Sequence, residues 1–314
     1  VNYRKLILIS SYQLLLGLPL MAQDLDPRAY ARIPVNATTL VTGFSYSYGG
    51  VVTDATLPFR DVVAKVQTPS IGIAHSFSLF HLTSQALIAL PYSWAQVSGE
   101  VGNQAERITR SGFSDMRLRF SVLVHGAPAV TLSEFAKAPR KTIIGVSLNM
   151  IVPTGQFFSD KLINLGTHRF SFRPEIALSH PFGKRWLIDV YAGVWFFTKN
   201  SSFYPGNSVR TQQPMGTFQA HLSYNINPLM WVALDATYYT GGKSSVNDSY
   251  NDDRQANSRM GATVVVRVGK HNSLKFSFST GAIVRAGQDF STFSIGWQRS
   301  WVKAGTEAKA TKPD

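Results

Sequence analysis

The sequence predicts an all-β fold, a transmembrane antiparallel up-and-down β-barrel of about twelve strands. Three observations predict it. Apolar and polar residues alternate over repeated runs of barrel-strand length, the period of a sheet with two unlike faces. Charged residues make up 16% of the chain, against roughly 25% in an ordinary soluble protein. The links between runs alternate between tight turns and longer polar stretches, as in barrels with short periplasmic turns and long outer loops.

The first segment bears on compartment. Arg4 and Lys5 precede an apolar run from Leu6 to Leu20, and Leu20-Met21-Ala22 ends on a small residue. Residues 1–22 read as a secretory signal peptide. The run is short and broken by Ser10, Ser11, Gln13 and Pro19, unlike an anchoring helix. Its removal takes two positive charges and no negative one, so a formal net charge of +13 becomes +11. Export argues against nucleic acid as a partner. The basic balance suits lipopolysaccharide phosphates outside a barrel or anions within it. The chain has no cysteine, which excludes a disulfide scaffold and thiol-based metal or redox chemistry.

Residues 23–36 are polar, carry Pro27 and Pro34, and read as a periplasmic lead-in. Strand-like runs follow near 38–49, 62–79, 82–98, 109–126, 140–153, 168–182, 185–198, 214–227, 229–241, 257–270, 272–284 and 289–302. The barrel thus spans 23–302 with its lead-in, and 303–314 form a polar tail expected to lack order. Phe80-His81, Phe182-Gly183, Asn227-Pro228 and Lys270-His271 are the tight turns. The longer links are 50–61, 99–108, 154–167, 199–213 and 242–256, expected outside. The link 127–139 breaks the pattern, and Ser133 to Lys137 there predict a short helical turn.

The alternation is clearest between Thr167 and Lys199. Phe170, Phe172, Ile176 and Leu178 alternate with Arg169, Arg173, Glu175 and Ala177. After the turn, Ile188, Val190, Ala192, Val194 and Phe196 alternate with Asp189, Tyr191, Gly193 and Trp195. Charges of both signs opposite so long an apolar band predict lipid on one side and a wet lumen on the other. The same pattern sends Phe44, Phe120, Leu148, Leu222, Val264 and Phe276 to lipid. The inward neighbours Ser223 and Thr263 are then expected to tolerate charge. Tyr46, Tyr48, Tyr92, Trp94, Phe196, Tyr224, Tyr238, Trp297 and Trp301 fall near strand ends, the place of an interfacial aromatic girdle.

The inward phase carries the candidate functional residues. They are Arg117, Arg119, Arg169, Arg173, Glu175, Asp189, Asp235, Arg259 and Arg267, with His221, Tyr191, Trp195 and Trp231. One reading is a charged constriction in which arginine forks orient a carboxylate or hydroxyl and aromatic faces stack on a ring. The other is a structural ion network filling a narrow barrel, since about twelve strands leave little room. The arginines of the hairpin are expected to pair with Glu175 and Asp189, with Asp189 opposite Ala177 or Glu175.

His221, Ser223 and Asn225 share a face and invite a hydrolase reading. Residues two apart on a strand lie roughly 6.5–7 Å apart, too far for a nucleophile–base hydrogen bond. His75 and His180 fall on the lipid phase near strand ends. The stretch Asn247 to Asp253 gathers oxygen ligands that suit Ca²⁺ but lacks the EF-hand spacing. There is no P-loop, dinucleotide fingerprint or zinc spacing, so no cofactor is implied.

Several stretches together resemble the meta-pathway phenol-degradation family of outer-membrane transporters. They are Pro27-Arg-Ala-Tyr30, Ser111-Gly-Phe-Ser-Asp-Met-Arg-Leu-Arg119, His125-Gly-Ala-Pro128, Pro153-Thr-Gly155, Leu162-Ile-Asn-Leu-Gly-Thr-His-Arg169 and Phe172-Arg-Pro-Glu175, followed by Tyr191-Ala-Gly193, Ala233 to Lys243 and Asn257 to Ala262. The resemblance covers most of residues 27–300. It implies a porin-like barrel in the outer membrane of a Gram-negative cell that takes up small hydrophobic or aromatic compounds passively. It supplies no catalytic residues, so no enzymatic activity is expected. The implied partners are outer-membrane lipid and lipopolysaccharide, the barrel-assembly machinery and a small hydrophobic or aromatic solute. The rival readings are a barrel enzyme acting on lipid or peptide and a non-conducting structural or adhesive barrel.

Overall fold

Alternation of faces along every long strand, with no free edge in the wall, sets the architecture. The computed structural model describes residues 25–52, 59–101, 104–161 and 163–302. The expected signal peptide and polar tail lie outside the described residues. The strands are β1 (Ala37–Val52), β2 (Phe59–Leu79), β3 (Leu82–Val101), β4 (Gln104–Phe113), β5 (Met116–His125), β6 (Ile143–Val152), β7 (Ser171–Phe182), β8 (Trp186–Phe197), β9 (Asn200–Phe203), β10 (Ser208–Gln212), β11 (Met215–Asn227), β12 (Met230–Gly241), β13 (Ser244–Val246), β14 (Ser249–Tyr250), β15 (Gln255–Val268), β16 (Asn272–Ile283) and β17 (Gly287–Val302). One short helix, α1 (Leu132–Lys137), lies between β5 and β6.

The wall closes on itself. β1 pairs antiparallel with β17 from Ala37↔Val302 to Val52↔Gly287 and, on its other side, with β2. The ladder continues from β17 through β16, β15, β12, β11, β8, β7, β6 and β5 to β3, which pairs back to β2. Counting β4 and β5 as one interrupted strand gives the expected twelve-strand barrel among the described residues. Closure pairs the backbone groups that an open edge would leave bare in lipid.

The face assignment follows the sequence pattern. Leu234 is 67% exposed, Met260 60% and Ile176 55%, whereas Asp189 is 0%, His221 1% and Tyr191 2% exposed. No soluble sheet puts its aliphatics outward and its carboxylates inward over a whole circumference, so the outer face meets lipid. Ring pairs mark the strand ends, with Trp186 against Tyr224 at 4.6 Å and Tyr92 against Trp94 at 4.9 Å. The histidines on the lipid phase are also bonded at strand ends. Thr38 Oγ1 lies 2.9 Å from His75 Nδ1, and Thr142 Oγ1 lies 2.7 Å from His180 Nδ1.

Four expectations are corrected. The run 109–126 is two strands, because the ladder breaks at Ser114-Asp115 beside Pro91, which has no N–H to donate. Ser114 N donates to Pro91 O at 3.0 Å and its hydroxyl sits 2.9 Å from that of Ser93. The link 99–108 is mostly strand, since β3 runs to Val101 and β4 starts at Gln104. The links 199–213 and 242–256 pair with one another and form a second sheet of four strands, in the order β14-β13-β10-β9. Burial in that sheet pulls the Arg210 guanidinium below its ordinary value, which Asp253 partly offsets. Finally, Ser223 is 0% and Thr263 1% exposed. The lumen is filled at that height, so a new charge at either position is expected to be costly.

The helical turn expected at Ser133–Lys137 is present as α1. Glu134 accepts a 2.8 Å hydrogen bond from Thr131 N, half of a capping box. That bond and one from the Thr131 hydroxyl hold its carboxyl below the usual range.

The faces predict a contrast at adjacent positions. Phe276 is 43% exposed on the outer face, while Ser277 lines an open part of the lumen. Phe276→Arg is expected to destabilise the barrel by about 2–4 kcal/mol if it sits near the bilayer midplane. Ser277→Asp, on the same inward phase as Lys275, should cost far less. Denaturant titration of both variants in lipid vesicles checks this, and equal losses contradict the assignment.

Candidate functional site

Residues 25–35, expected as a periplasmic lead-in, instead run through the lumen. The entry is fixed by the backbone of Asn36, which donates to Ser76 O at 2.9 Å, and of Val35, which donates to Val130 O at 2.9 Å. Tyr30 is 1% exposed. Its hydroxyl donates to Glu175 Oε1 at 2.8 Å and lies 2.7 Å from Ser147 Oγ. Its ring packs edge-on to Tyr191 at 5.0 Å and under the Arg119 guanidinium at 4.5 Å. Gly145 makes the seat, since a Cβ there would meet Tyr30 Cδ1 at 2.4 Å.

The rest of the segment is held by polar contacts. Ala29 N donates to the Tyr191 hydroxyl at 3.2 Å, and Arg28 N to Asp189 Oδ2 at 3.3 Å. Arg28 Nη2 donates to Asn225 Oδ1 at 2.9 Å while its guanidinium lies 4.2 Å over the Trp231 ring. Asp26 pairs with Lys275 at 2.7 Å. Leu25 reaches the wall at Gly261, where a Cβ would sit 2.7 Å from its Cδ1.

Cross-strand register places the wall residues in belts. Ser179, Asp189, His221, Asp235 and Gly261 lie side by side across β7, β8, β11, β12 and β15. Within that belt His221 Nδ1 lies 2.7 Å from Asp235 Oδ1, and Asp235 Oδ2 accepts from Thr263 Oγ1 at 2.7 Å. Another belt sets Arg119 beside Asn149 and Asn149 beside Arg173. Arg173 pairs with Glu175 at 3.4 Å and stacks 4.9 Å over Trp195.

The structure therefore brings Arg117, Arg119, Arg173, Glu175, Tyr191 and Trp195 to one cavity of about 260 Å³. Asp189, His221 and Asp235 form a neighbouring row, and Arg28 touches Asp189 and Trp231. The remaining candidates stand apart. Arg169 donates to Gln212 Oε1 and covers Phe197 at 4.5 Å. Arg259 bridges strands, donating to Phe290 O at 2.7 Å and Ser279 Oγ at 3.2 Å. Arg267 keeps the inward phase but is exposed at the end of β15, away from these groups. The expected pairing is half corrected. Glu175 takes Arg173 as expected, while Asp189 faces Ser179 in the register and bonds to Arg28. The three-residue turn Gly183 to Arg185 places Asp189 two residues beyond Ala177 and four beyond Glu175, the two expected partners.

Above the segment, the link between β6 and β7 folds inward. Leu165 is 4% exposed and packs with Val66, Val97 and Phe290. Asp115 pins this link through Gly155 N at 2.9 Å, Thr167 N at 2.8 Å and Thr167 Oγ1 at 2.6 Å. A second cavity of about 370 Å³ lies between Leu165 and Thr167 above and Leu25, Asp26 and Lys275 below. Its wall is rich in small hydroxyls, among them Ser45, Thr68, Ser70, Ser277 and Thr292. Asp115→Ala removes a carboxylate that accepts three hydrogen bonds, each worth about 1.5–3 kcal/mol to a charged acceptor. It is expected to free the link, seen as faster proteolysis between 153 and 170 with the barrel intact.

The oxygen ligands at 247–253 are used locally. Asp253 accepts from Ser244 N at 2.8 Å and from its hydroxyl, and Asp252 pairs with Arg285 at 3.0 Å. Among the described residues no three His, Cys, Asp or Glu side chains gather as a metal site.

The family model described as "Putative MetA-pathway of phenol degradation" matches residues 63–299. Among curated proteins none gives a match. The fold is similar to that of the COG4313 outer membrane channel from Pseudomonas putida F1, at a TM-score of 0.74 and 19% identity over 88% of this chain and 99% of that one. It is also similar to the transport unit of the autotransporter AIDA-I from Escherichia coli, at a TM-score of 0.51 and 9% identity over 96% and 98% of the two chains. These likenesses show a shared barrel fold. The family match spans about three quarters of the 314 residues, and the chain belongs to the phenol-degradation family that this model describes.

Proposed function

We propose that this chain is an outer-membrane channel through which small aromatic compounds enter by passive diffusion. The observation that carries the reading is the pair of cavities, about 370 and 260 Å³, left inside the closed wall between the N-terminal segment and the inward link. An engineered apolar cavity of about 150 Å³ already holds benzene, so each has room for a single ring. Aromatic faces and arginine forks on one side and hydroxyls on the other suit a ring bearing a polar substituent. Family membership supports the solute class. The chain resembles an outer membrane channel in fold. An apolar belt beneath aromatic strand ends fits lipid, with lipopolysaccharide on the outer leaflet and the barrel-assembly machinery as the inserting partner.

A catalytic reading is weaker. His221 is engaged by Asp235, and Ser223 follows two residues along the same strand, roughly 6.5–7 Å away. The test of transport is flux of a ring-bearing solute into proteoliposomes together with single-channel current in planar bilayers. Neither flux nor current, from protein that is folded and inserted, would sink the proposal.

Orientation is tested separately. Ser249 lies exposed in the second sheet, at the barrel end opposite the tight turns. In a chain free of cysteine, Ser249→Cys is expected to react with an impermeant thiol reagent on whole cells. Labelling only after the outer membrane is breached would reverse the orientation.

A further inference from the structure

The smaller cavity gathers three arginines. Arg117 and Arg119 alternate on β5, and Arg119 stands in register with Asn149 of β6 and, beyond it, Arg173 of β7. Of the carboxylates that line it, Glu175 already pairs with Arg173 at 3.4 Å and accepts from Tyr30 at 2.8 Å. Asp26 is taken up by Lys275 at 2.7 Å. Among the described residues that line the cavity, three arginines stand against two carboxylates.

Two sets of donors there are unused. Arg119 Nε and Nη2 are buried and meet no acceptor among the described residues, and the same holds for Trp195 Nε1. A buried donor left unbonded is costly, and a charged one more so. The arginines are also held in place, since Arg119 lies 4.5 Å over Tyr30 and Arg173 4.9 Å over Trp195. The fixed planar fork of Arg119, with Nε and Nη2 unbonded among the described residues, matches a carboxylate. Beside them Leu87, Ala89 and Ile151 line both cavities and give an apolar wall against which a ring can lie.

We propose that this cavity is a binding subsite for the carboxylate of a small monoaromatic acid, with its ring directed towards the larger, hydroxyl-lined cavity. The channel thus selects ring-bearing anions over neutral aromatics of the same size. The inference rests on the channel reading for its biological meaning, but its binding step is measurable without transport.

The probe is benzoate, with benzyl alcohol as a neutral near-isostere, titrated by calorimetry into the full folded chain in detergent. Benzoate is expected to bind at least about tenfold more tightly. Arg119→Gln should erase that difference, weakening benzoate at least about tenfold and benzyl alcohol far less. Trp195→Phe, which keeps a ring and loses the N–H, should weaken benzoate alone by a few-fold. Should Arg119→Gln fail to fold, Arg119→Lys keeps the charge, removes the fork and should reduce the preference. Equal affinity for the two probes, or a preference that survives the Arg119 variants, overturns the proposal. Binding as expected with no current in bilayers would instead sink the channel reading and leave the subsite standing.

Discussion

Tyr30→Ala is expected to unseat the N-terminal segment and to raise the single-channel conductance several-fold. Tyr30 is the best-buried side chain of that segment, and four wall residues depend on it. Its hydroxyl serves Ser147 and Glu175, its face carries Arg119 and its edge meets Tyr191. Truncating a buried aromatic to alanine costs about 3–5 kcal/mol. The cost falls on the seated state alone, because the displaced segment is solvated in both proteins. About 3 kcal/mol shifts a two-state equilibrium more than a hundredfold. The anchors at Arg28 and Asp26 are polar contacts exchangeable for water, so they hold the segment less firmly. Tyr30→Phe is the control. It keeps the ring in the Gly145 seat and loses the hydroxyl, so its conductance should change little. An Asp26→Cys substitution reports the displacement directly, through reaction with a thiol reagent added from the turn side. Unchanged conductance alongside free reaction of that thiol would mean that the segment does not obstruct the pathway.

The wall was legible in the sequence, and this segment was not. Period two is a local property, so Arg173, Glu175, Tyr191 and Trp195 could be placed on one face from the run between Thr167 and Lys199 alone. The segment 25–35 has no period of its own. A polar stretch with two prolines reads as a solvated lead-in, because the groups that satisfy it come from β6, β7, β8, β11 and β16. Its signals were indirect. Gly145 interrupts an otherwise large-residue strand, and a Cβ there would collide with the Tyr30 ring. The His221–Asp235 pair was likewise hidden, since two inward residues on neighbouring strands meet only once register is known. Register itself was missed at β7–β8, by two residues from Ala177 or four from Glu175, because turn length and not alternation decides it. The second sheet escaped because its strands are two to five residues long, too short for periodicity to register. Asp115 is the instructive case. Three of the stretches that carry the family resemblance, around Asp115, Gly155 and Thr167, are distant in sequence and meet at its carboxylate.

Arg173→Ala is expected to lower stability by about 3–5 kcal/mol and to turn the ion selectivity towards cations. Both effects follow from the carboxylate it leaves behind. Glu175 is 7% exposed and Arg173 6% exposed, and breaking a buried ion pair strands a charge away from water. Tyr30 still donates to Glu175 and Arg119 remains nearby, which places the loss at the lower end of that range. The lumen also loses one positive charge, so its mean potential falls and cations gain. The double variant Arg173→Ala with Glu175→Gln separates the two consequences. The introduced amide still accepts from Tyr30 and carries no charge, so most of the stability should return. The net charge of the pair is then zero, as in the parent protein, and the reversal potential in a salt gradient should return with it. Urea titration in vesicles and reversal potentials in planar bilayers provide the two readouts. If the single and double variants behave alike in both, the Arg173–Glu175 pair neither stabilises the lumen nor sets its charge, and the arginines serve only as filling.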